Sequence, residues 1–298
     1  MDRVVGCLGG GVDSTCLVAM DVNRDTTAKW LGITREALDS AFPRPSVWLF
    51  SDTGAEHDGT YDNVNSLQRL LGDRLVIVRR KGETIMEWNL RLGTVPLMPG
   101  ASHICSLKFK GEVMQGWAKE HLPGEAIHWI IGIEADEGKR AKRFQKPKGD
   151  EGVYDYPLMS LGLTRARCEA LLAHLGWEVP IKSSCVHCPF KSEEELRWMY
   201  HNDSKAWDQC VDVEDAFRAA SQVKHQRWLD NGQPLNKGGR APKGMWRKNS
   251  WEEGARLFAK SIGGRRLSLV EWAARFDAET TPDIPIKDIT FQGEMKLW

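Results

Sequence analysis

Two stretches of this 298-residue chain combine residue types and spacing that can do chemistry. The first is Gly9-Gly10-Gly11-Val12-Asp13-Ser14-Thr15, which follows the apolar run Val4, Val5, Cys7, Leu8 and precedes the helical pattern Cys16, Leu17, Val18, Ala19, Met20. Three glycines let the backbone take strained dihedrals and bring its N–H groups close to a ligand. Ser14 and Thr15 then fall at a helix N-terminus, where free N–H groups and the helix dipole favour an anion. A phosphate or pyrophosphate is the ligand such a turn suits best. No lysine occupies it, and the Gly-x-Gly-x-x-Gly spacing is absent, so it is neither a Walker-type loop nor a dinucleotide fingerprint. The second stretch is Ser184-Cys185-Val186-His187-Cys188-Pro189-Phe190, a Cys-x-x-Cys in a turn setting, a spacing that lets two thiolates reach one metal.

Positioning these residues requires strands. Val47-Trp48-Leu49-Phe50 reads as a second buried strand that runs into Ser51-Asp52-Thr53-Gly54-Ala55-Glu56, Leu75-Val76-Ile77-Val78 as a third, and Trp129-Ile130-Ile131-Gly132-Ile133 as a fourth. Between them, Asp21 to Pro45 reads as a helical insertion, and helices are predicted over Tyr61 to Leu71 and through Val113, Trp117 and His121. Thr164 is an N-cap for a helix whose stripe Cys168, Leu171, Leu172, Leu175 places Cys168 in a core. Cys7 and Cys16 are expected to be buried as well. Strands alternating with helices predict an α/β protein with a doubly wound, mostly parallel sheet. Strand-like runs become scarce after Ser192, so the expected organisation is an α/β domain over 1–190 and a helical accessory region over 191–298. In such a sheet, ligands bind at the carboxyl ends of the strands. The ends of the first, second and fourth strands carry Asp13 and Ser14, Asp52 to Glu56, and Gly132-Ile133-Glu134-Ala135-Asp136-Glu137-Gly138-Lys139-Arg140. A backbone nest, carboxylates to hold Mg²⁺ and nearby cations are what ATP needs.

Gly9-Gly10-Gly11-Val12-Asp13-Ser14 resembles the PP-loop, Ser-Gly-Gly-x-Asp-Ser, of the N-type ATP pyrophosphatases, with Gly9 in place of the first serine. Asp52, Thr53, Gly54 and Glu56 match the Asp-Thr-Gly-x-Glu of the branch that contains phosphoadenosine phosphosulfate reductase and the DNA phosphorothioation sulfurtransferase. Of that branch's Gly-x-Arg-x-x-Glu-Ser, Gly132 and Glu137 match, while Glu134 stands for arginine and Gly138 for serine; Lys139, Arg140 or Arg143 is expected to supply the cation. The resemblance spans Val4 to Phe190 and implies an adenine nucleotide alpha-hydrolase-like fold and an adenylating enzyme that releases pyrophosphate. It implies that Gly9, Gly10, Gly11, Val12, Asp13, Ser14 and Thr15, with Asp52, Thr53, Gly54, Glu56, Gly132 and Glu137, hold ATP and Mg²⁺. Asp13, Ser14 and Asp52 are then the catalytic residues.

The segment around Cys105, in His103-Ile104-Cys105-Ser106-Leu107-Lys108, resembles the family's Cys-Thr-x-x-Leu-Lys element. The resemblance implies a [4Fe-4S] cluster on Cys105, Cys185 and Cys188, with a fourth position left to Cys210, a histidine, or an exogenous sulfide or substrate. Zinc held by the same cysteines with His187 or His201 is the alternative, since Zn²⁺ accepts Cys₃His. A redox disulfide at Cys185 and Cys188 is a third option. With a cluster, the implied activity is sulfur transfer to a nucleic-acid or small-molecule substrate, with a possible sulfur-donor protein as partner. A sulfonucleotide reductase is the rival within the fold, but it uses a cysteine near the C-terminus and no cysteine follows Cys210. A non-catalytic nucleotide or nucleic-acid binding protein is the rival from outside enzymology.

Formal net charge is zero, so contact with nucleic acid needs a local patch. Lys224, Arg227, Lys237, Arg240, Lys243, Arg247 and Lys248 face only Asp230 between Lys224 and Lys248, with Trp228 and Trp246 interleaved. Cations with aromatics suit tRNA or DNA through phosphate neutralisation and base stacking. No apolar run reaches the length of a membrane span, and the first residues lead directly into a strand. The expected setting is therefore cytoplasmic, with cysteines kept as thiols or metal ligands.

Overall fold

The computed structural model describes residues 3–96, 105–142, 146–234, 255–259 and 261–278. The chain packs into two compact units, Met1–Lys81 with Cys105–Ser184, and Gly82–Ile104 with Cys185–Trp298.

The first unit is built on five parallel strands: β1 (Arg3–Leu8), β2 (Val47–Asp52), β3 (Leu75–Arg79), β4 (Ile127–Ile131) and β5 (Val153–Asp155). Their order across the sheet is β3-β2-β1-β4-β5, with helices on the connections, which is an α/β doubly wound arrangement. Chain order runs outward from β1 to β3 on one side, then resumes at β4 on the other. The carboxyl ends of β1 and β4 therefore flank the point where strand order reverses, the crevice in which open α/β sheets take ligands.

β1 leads through the glycine turn into α1 (Val12–Val22), whose residues Ser14 through Asp21 are all buried. A helix buried on nearly every side is positioned by packing, not by an amphipathic stripe. The insertion after it forms two short helices, α2 (Arg24–Leu31) and α3 (Arg35–Ala41), and α4 (Asp58–Leu71) follows β2. One side of the sheet is sealed by Leu17, Met20, Trp48, Phe50, Leu171 and Leu172, and the other by Val5, Leu49, Met114 and Trp129. The fourth strand starts at Ile127 and stops short of Ile133, and the sequence reading has no counterpart for β5.

In the second unit, α5 (Ile85–Leu92) packs with the C-terminal helices. In the first unit, α6 (Glu112–His121) precedes β4 and α7 (Gly138–Lys142) follows it, and β5 is followed by α8 (Pro157–Ser160) and α9 (Arg165–His174). The second unit continues with α10 (Glu193–Asn202), the long α11 (Ser204–Asp230), a two-stranded hairpin β6 (Ser261–Ile262) and β7 (Arg265–Arg266), and α12 (Leu269–Asp277). Its core holds Leu196, Met199, Trp207, Val213, Phe258, Trp272 and Phe276. The buried Glu214 carboxylate accepts the backbone N–H of Leu257 at 2.9 Å and of Leu269 at 3.0 Å, which ties the last segments to α11. The units thus divide differently from the expected boundary at 190. Gly82–Ile104 joins the C-terminal part because Gly93 brings α5 against α11: a Cβ there would lie 2.3 Å from the Cβ of Ala220 and 2.7 Å from the carbonyl of Ala216.

Candidate active site in the first unit

The glycine turn is shaped by three local devices. Gly10 has φ of +76°, a left-handed conformation that disfavours any side chain. The Ser14 hydroxyl accepts from the Gly9 N–H at 3.1 Å and donates to the Gly11 carbonyl at 3.2 Å, closing the loop on itself. From α4, the Asn63 amide donates to the Gly10 carbonyl and to Thr15 Oγ1, each at 2.9 Å. Gly11 caps α1 and offers no side chain to its first turn. The N–H groups there are left for a ligand or water.

Around this turn stand the groups of the β4 end. Gly132 passes so close that a Cβ would lie 3.0 Å from the Ser14 nitrogen and 3.2 Å from the carbonyl carbon of Asp13. Glu134 follows, and burial pushes its carboxyl up to about 7, with Asp13, Glu137 and Asp136 adding to the rise and Arg165 opposing it. Asp13 is also raised, by burial first, with Glu137 adding and Arg165 and Arg140 opposing. The cation that reaches Asp13 is Arg165, from the first turn of α9, its Nη1 3.1 Å from Oδ1. Arg140, expected to supply the cation, is paired with Glu137 at 2.7 Å; Arg143 lies outside the described residues. Arg165 escapes sequence reasoning because its link to Asp13 crosses 152 residues, and its own surroundings read as an ordinary capped helix start.

Thr164 caps that helix as expected, accepting from Arg167 N–H at 3.4 Å. One turn further along, Cys168 and Cys16 are both fully buried and their thiols are hydrogen-bonded, so the Cys168 thiol is pushed well up and stays protonated. Cys7 is half-buried, paired between β2 and β4 and packed against the core of that face, and burial pushes its thiol up to about 12.

At the end of β2, Asp52 accepts on Oδ1 from the Gly54 N–H at 2.7 Å and the Tyr61 hydroxyl at 2.9 Å, and on Oδ2 from Arg79 Nε at 3.1 Å and Arg79 Nη2. Both oxygens are occupied. Glu56 accepts from Thr53 Oγ1 at 3.0 Å and pairs with Lys110 at 3.3 Å. The Ser51 hydroxyl donates to the Phe109 carbonyl at 2.7 Å, anchoring the π-helical turn Cys105–Gly111 to β2.

Cys105 opens that turn and is half-buried. Cys185 and Cys188 belong to the second unit, where the Cys188 N–H donates to the Cys185 carbonyl at 3.0 Å and closes a tight turn. Both thiols are partly exposed, whereas the His187 between them is fully buried, 3.0 Å from the Asn89 amide, with its imidazole pushed down to about 4 by burial and by Lys191. Cys210 is buried, donates to the Val186 carbonyl at 3.3 Å, and has its thiol pushed up to about 12. Among the described residues, no three His, Cys, Asp or Glu side chains are gathered as a metal site.

Of the basic segment, Lys224, Arg227 and Trp228 lie on α11, the two cations exposed; 235–250 lies outside the described residues. Among the described residues, no helix is long and apolar enough to cross a membrane.

No protein-family model and no curated protein matches this sequence.

Proposed function

We propose that the chain is an adenylating enzyme that cleaves ATP to AMP and pyrophosphate at the carboxyl edge of its sheet. The observation that carries the reading is the glycine turn feeding an α1 without side-chain cap, beside the half-buried Asp13 and its partner Arg165. In the step proposed, a substrate oxygen attacks the α-phosphorus, a P–O bond forms, and the bond to the bridging oxygen breaks. Pyrophosphate leaves into the cradle of Gly10, Gly11, Asp13 and Ser14. Arg165 offsets the charge that develops there, the role for which preorganised cations are most effective. Thr53, Gly54 and Glu56 line the ribose and Mg²⁺ side, and Asp52 holds that loop in place. A sulfur nucleophile then attacks the activated carbon, a C–S bond forms, the C–O bond breaks, and AMP leaves.

A [4Fe-4S] cluster held through Cys185 and Cys188 would supply, when bound, the soft metal chemistry that sulfur transfer uses. The turn and partial exposure of Cys185 and Cys188 suit two thiolate ligands. One observation favours the zinc alternative: His187 Nδ1 is buried with no hydrogen-bond partner among the described residues, and its ring stays neutral. The exposed Lys224 and Arg227 share α11 with Trp228, a set of cations and an aromatic that suits a tRNA or DNA substrate.

Release of pyrophosphate from ATP tests the reading directly. The wild-type chain is expected to produce AMP and pyrophosphate, and Asp13→Ala to lose about a hundredfold or more of that rate. Turnover unchanged in Asp13→Ala removes the central assignment, and ATP binding without products leaves the non-catalytic binding protein. Anaerobic purification with iron, acid-labile sulfide and zinc analysis decides the cysteines: roughly four iron and four sulfide per chain supports the cluster, one zinc without iron makes them structural.

A further inference from the structure

The segment that ends the first unit lies across the phosphate turn. A Cβ on Gly11 would sit 2.7 Å from the Ser183 hydroxyl and 3.3 Å from the Ser183 nitrogen. Two residues earlier, Ile181 Cδ1 comes within 2.7 Å of where a Cβ on Gly59 would be, in the first turn of α4. A spacing of two puts both side chains on one face of an extended segment. Ile181 and Ser183 thus rest on two glycines, Gly59 in the first turn of α4 and Gly11 in the loop after β1. Ile181 is the apolar anchor. Ser183 brings a half-buried hydroxyl to the turn, and among the described residues no hydrogen bond uses it.

The turn itself lacks a hydroxyl at its entrance. Gly9 has open space where a side chain would go, the nearest atom being Ser14 Oγ at 3.7 Å from a Cβ. The Ser14 hydroxyl is engaged at both its donor and acceptor sides within the loop, and Thr15 Oγ1 accepts from Asn63. An anion seated here therefore meets backbone N–H groups, Arg165 beyond Asp13, and the uncommitted Ser183 hydroxyl.

We propose that Ser183 is a ligand of the pyrophosphate moiety of ATP, completing the cradle from the far end of the unit in place of a hydroxyl at position 9. The inference rests on the ATP reading above and adds to it the residue that closes the phosphate side. It also accounts for Gly11: any larger residue would displace the segment that carries the ligand.

Isothermal titration of the full chain with Mg²⁺-pyrophosphate and with Mg²⁺-ATP tests it, using wild type, Ser183→Ala, and Ser183→Ala combined with Gly9→Ser. Wild type is expected to bind both. Ser183→Ala is expected to bind about tenfold more weakly, the size of one hydrogen bond to a charged group, and the added Gly9→Ser to recover most of that loss. Ser183→Ala binding as wild type does overturns the inference and leaves the ATP reading standing. A loss that Gly9→Ser does not correct also overturns it, because packing and not the hydroxyl was then removed. Wild type binding neither probe overturns the ATP reading, and this inference falls with it.

Discussion

Asp13 and Asp52 follow neighbouring parallel strands, Asp13 in the first turn of α1 beyond β1 and Asp52 as the last residue of β2, and their surroundings differ. Asp52 is 4% exposed, and four donors from Gly54, Tyr61 and Arg79 fill its two oxygens. Asp13 is more open, its side chain 17% exposed, and a single guanidinium, that of Arg165, reaches one of its oxygens. A carboxylate with every lone-pair direction committed is an architectural element; one with a free oxygen beside a raised neighbour, Glu134, is equipped to meet a ligand. Two aspartates at one sheet edge thus separate into one whose acceptors are all spent on holding a loop and one that keeps an oxygen free.

Two single substitutions test that division. Asp13→Ala loses most of the pyrophosphate release and leaves the urea midpoint of the first unit nearly where it was. Asp52→Ala leaves the Gly54 N–H and the Tyr61 hydroxyl without their acceptor and costs about 2–3 kcal/mol of stability. Arg79 is 57% exposed on its side chain and turns to water, so its share is small. Urea melts with parallel product assays check the pair. Equal stability loss in both variants erases the contrast.

Much of this edge is legible in the sequence because it is local. Gly9 to Thr15 and Asp52 to Glu56 each combine a strand end, a turn and a helix start within a few residues, and strand alternation with helices dictates the parallel sheet. What is not legible depends on contacts between distant segments. Arg165 and Ser183 sit in stretches whose own composition says only helix start and extended loop. β5 is three residues long, with Val153 exposed, too short for any periodic signal. The allocation of Gly82–Ile104 to the second unit turns on Gly93 fitting against Ala216 and Ala220, a match that no single-chain pattern encodes. His187 reads as a metal ligand from its place between two cysteines, and only the core around it reveals the bond to Asn89.

The three consecutive glycines of the turn, Gly9, Gly10 and Gly11, meet three different environments. Gly10→Ala combines a φ of +76° with a Cβ 2.8 Å from Thr60 Cγ2, and should cost about 1–3 kcal/mol of stability as well as ATP affinity. Gly11→Ala keeps an allowed backbone but must move Ser183, so affinity falls several-fold at nearly unchanged stability. Gly9→Ser meets nothing closer than 3.7 Å and folds as wild type, with ATP binding equal or tighter. Titration and thermal melts of the three rank them; a destabilised Gly9→Ser contradicts the open space at that position.

The smallest effect expected is a slope with pH, carried by Glu134. Its carboxyl is raised from 4.5 to about 7, so the folded chain binds its proton more tightly than the unfolded chain does. Between those values the native state holds more protons, and stability falls as pH rises through that window, then levels off above it. Asp13, Asp136 and Glu137 face it as acids and Arg165 as the opposing cation, so ionisation of Glu134 also adds negative charge beside the phosphate turn. Affinity for an anion there should decline over the same upper range. Glu134→Gln removes the proton exchange, flattens the stability profile between pH 5 and 7, and leaves a residual slope of the same sign from Asp13, whose carboxyl is also raised. Urea midpoints taken across that range for both proteins provide the check: parallel profiles would mean that Glu134 is already ionised in the folded chain, and that the β4 end meets a ligand with a fixed charge and not with a proton to share.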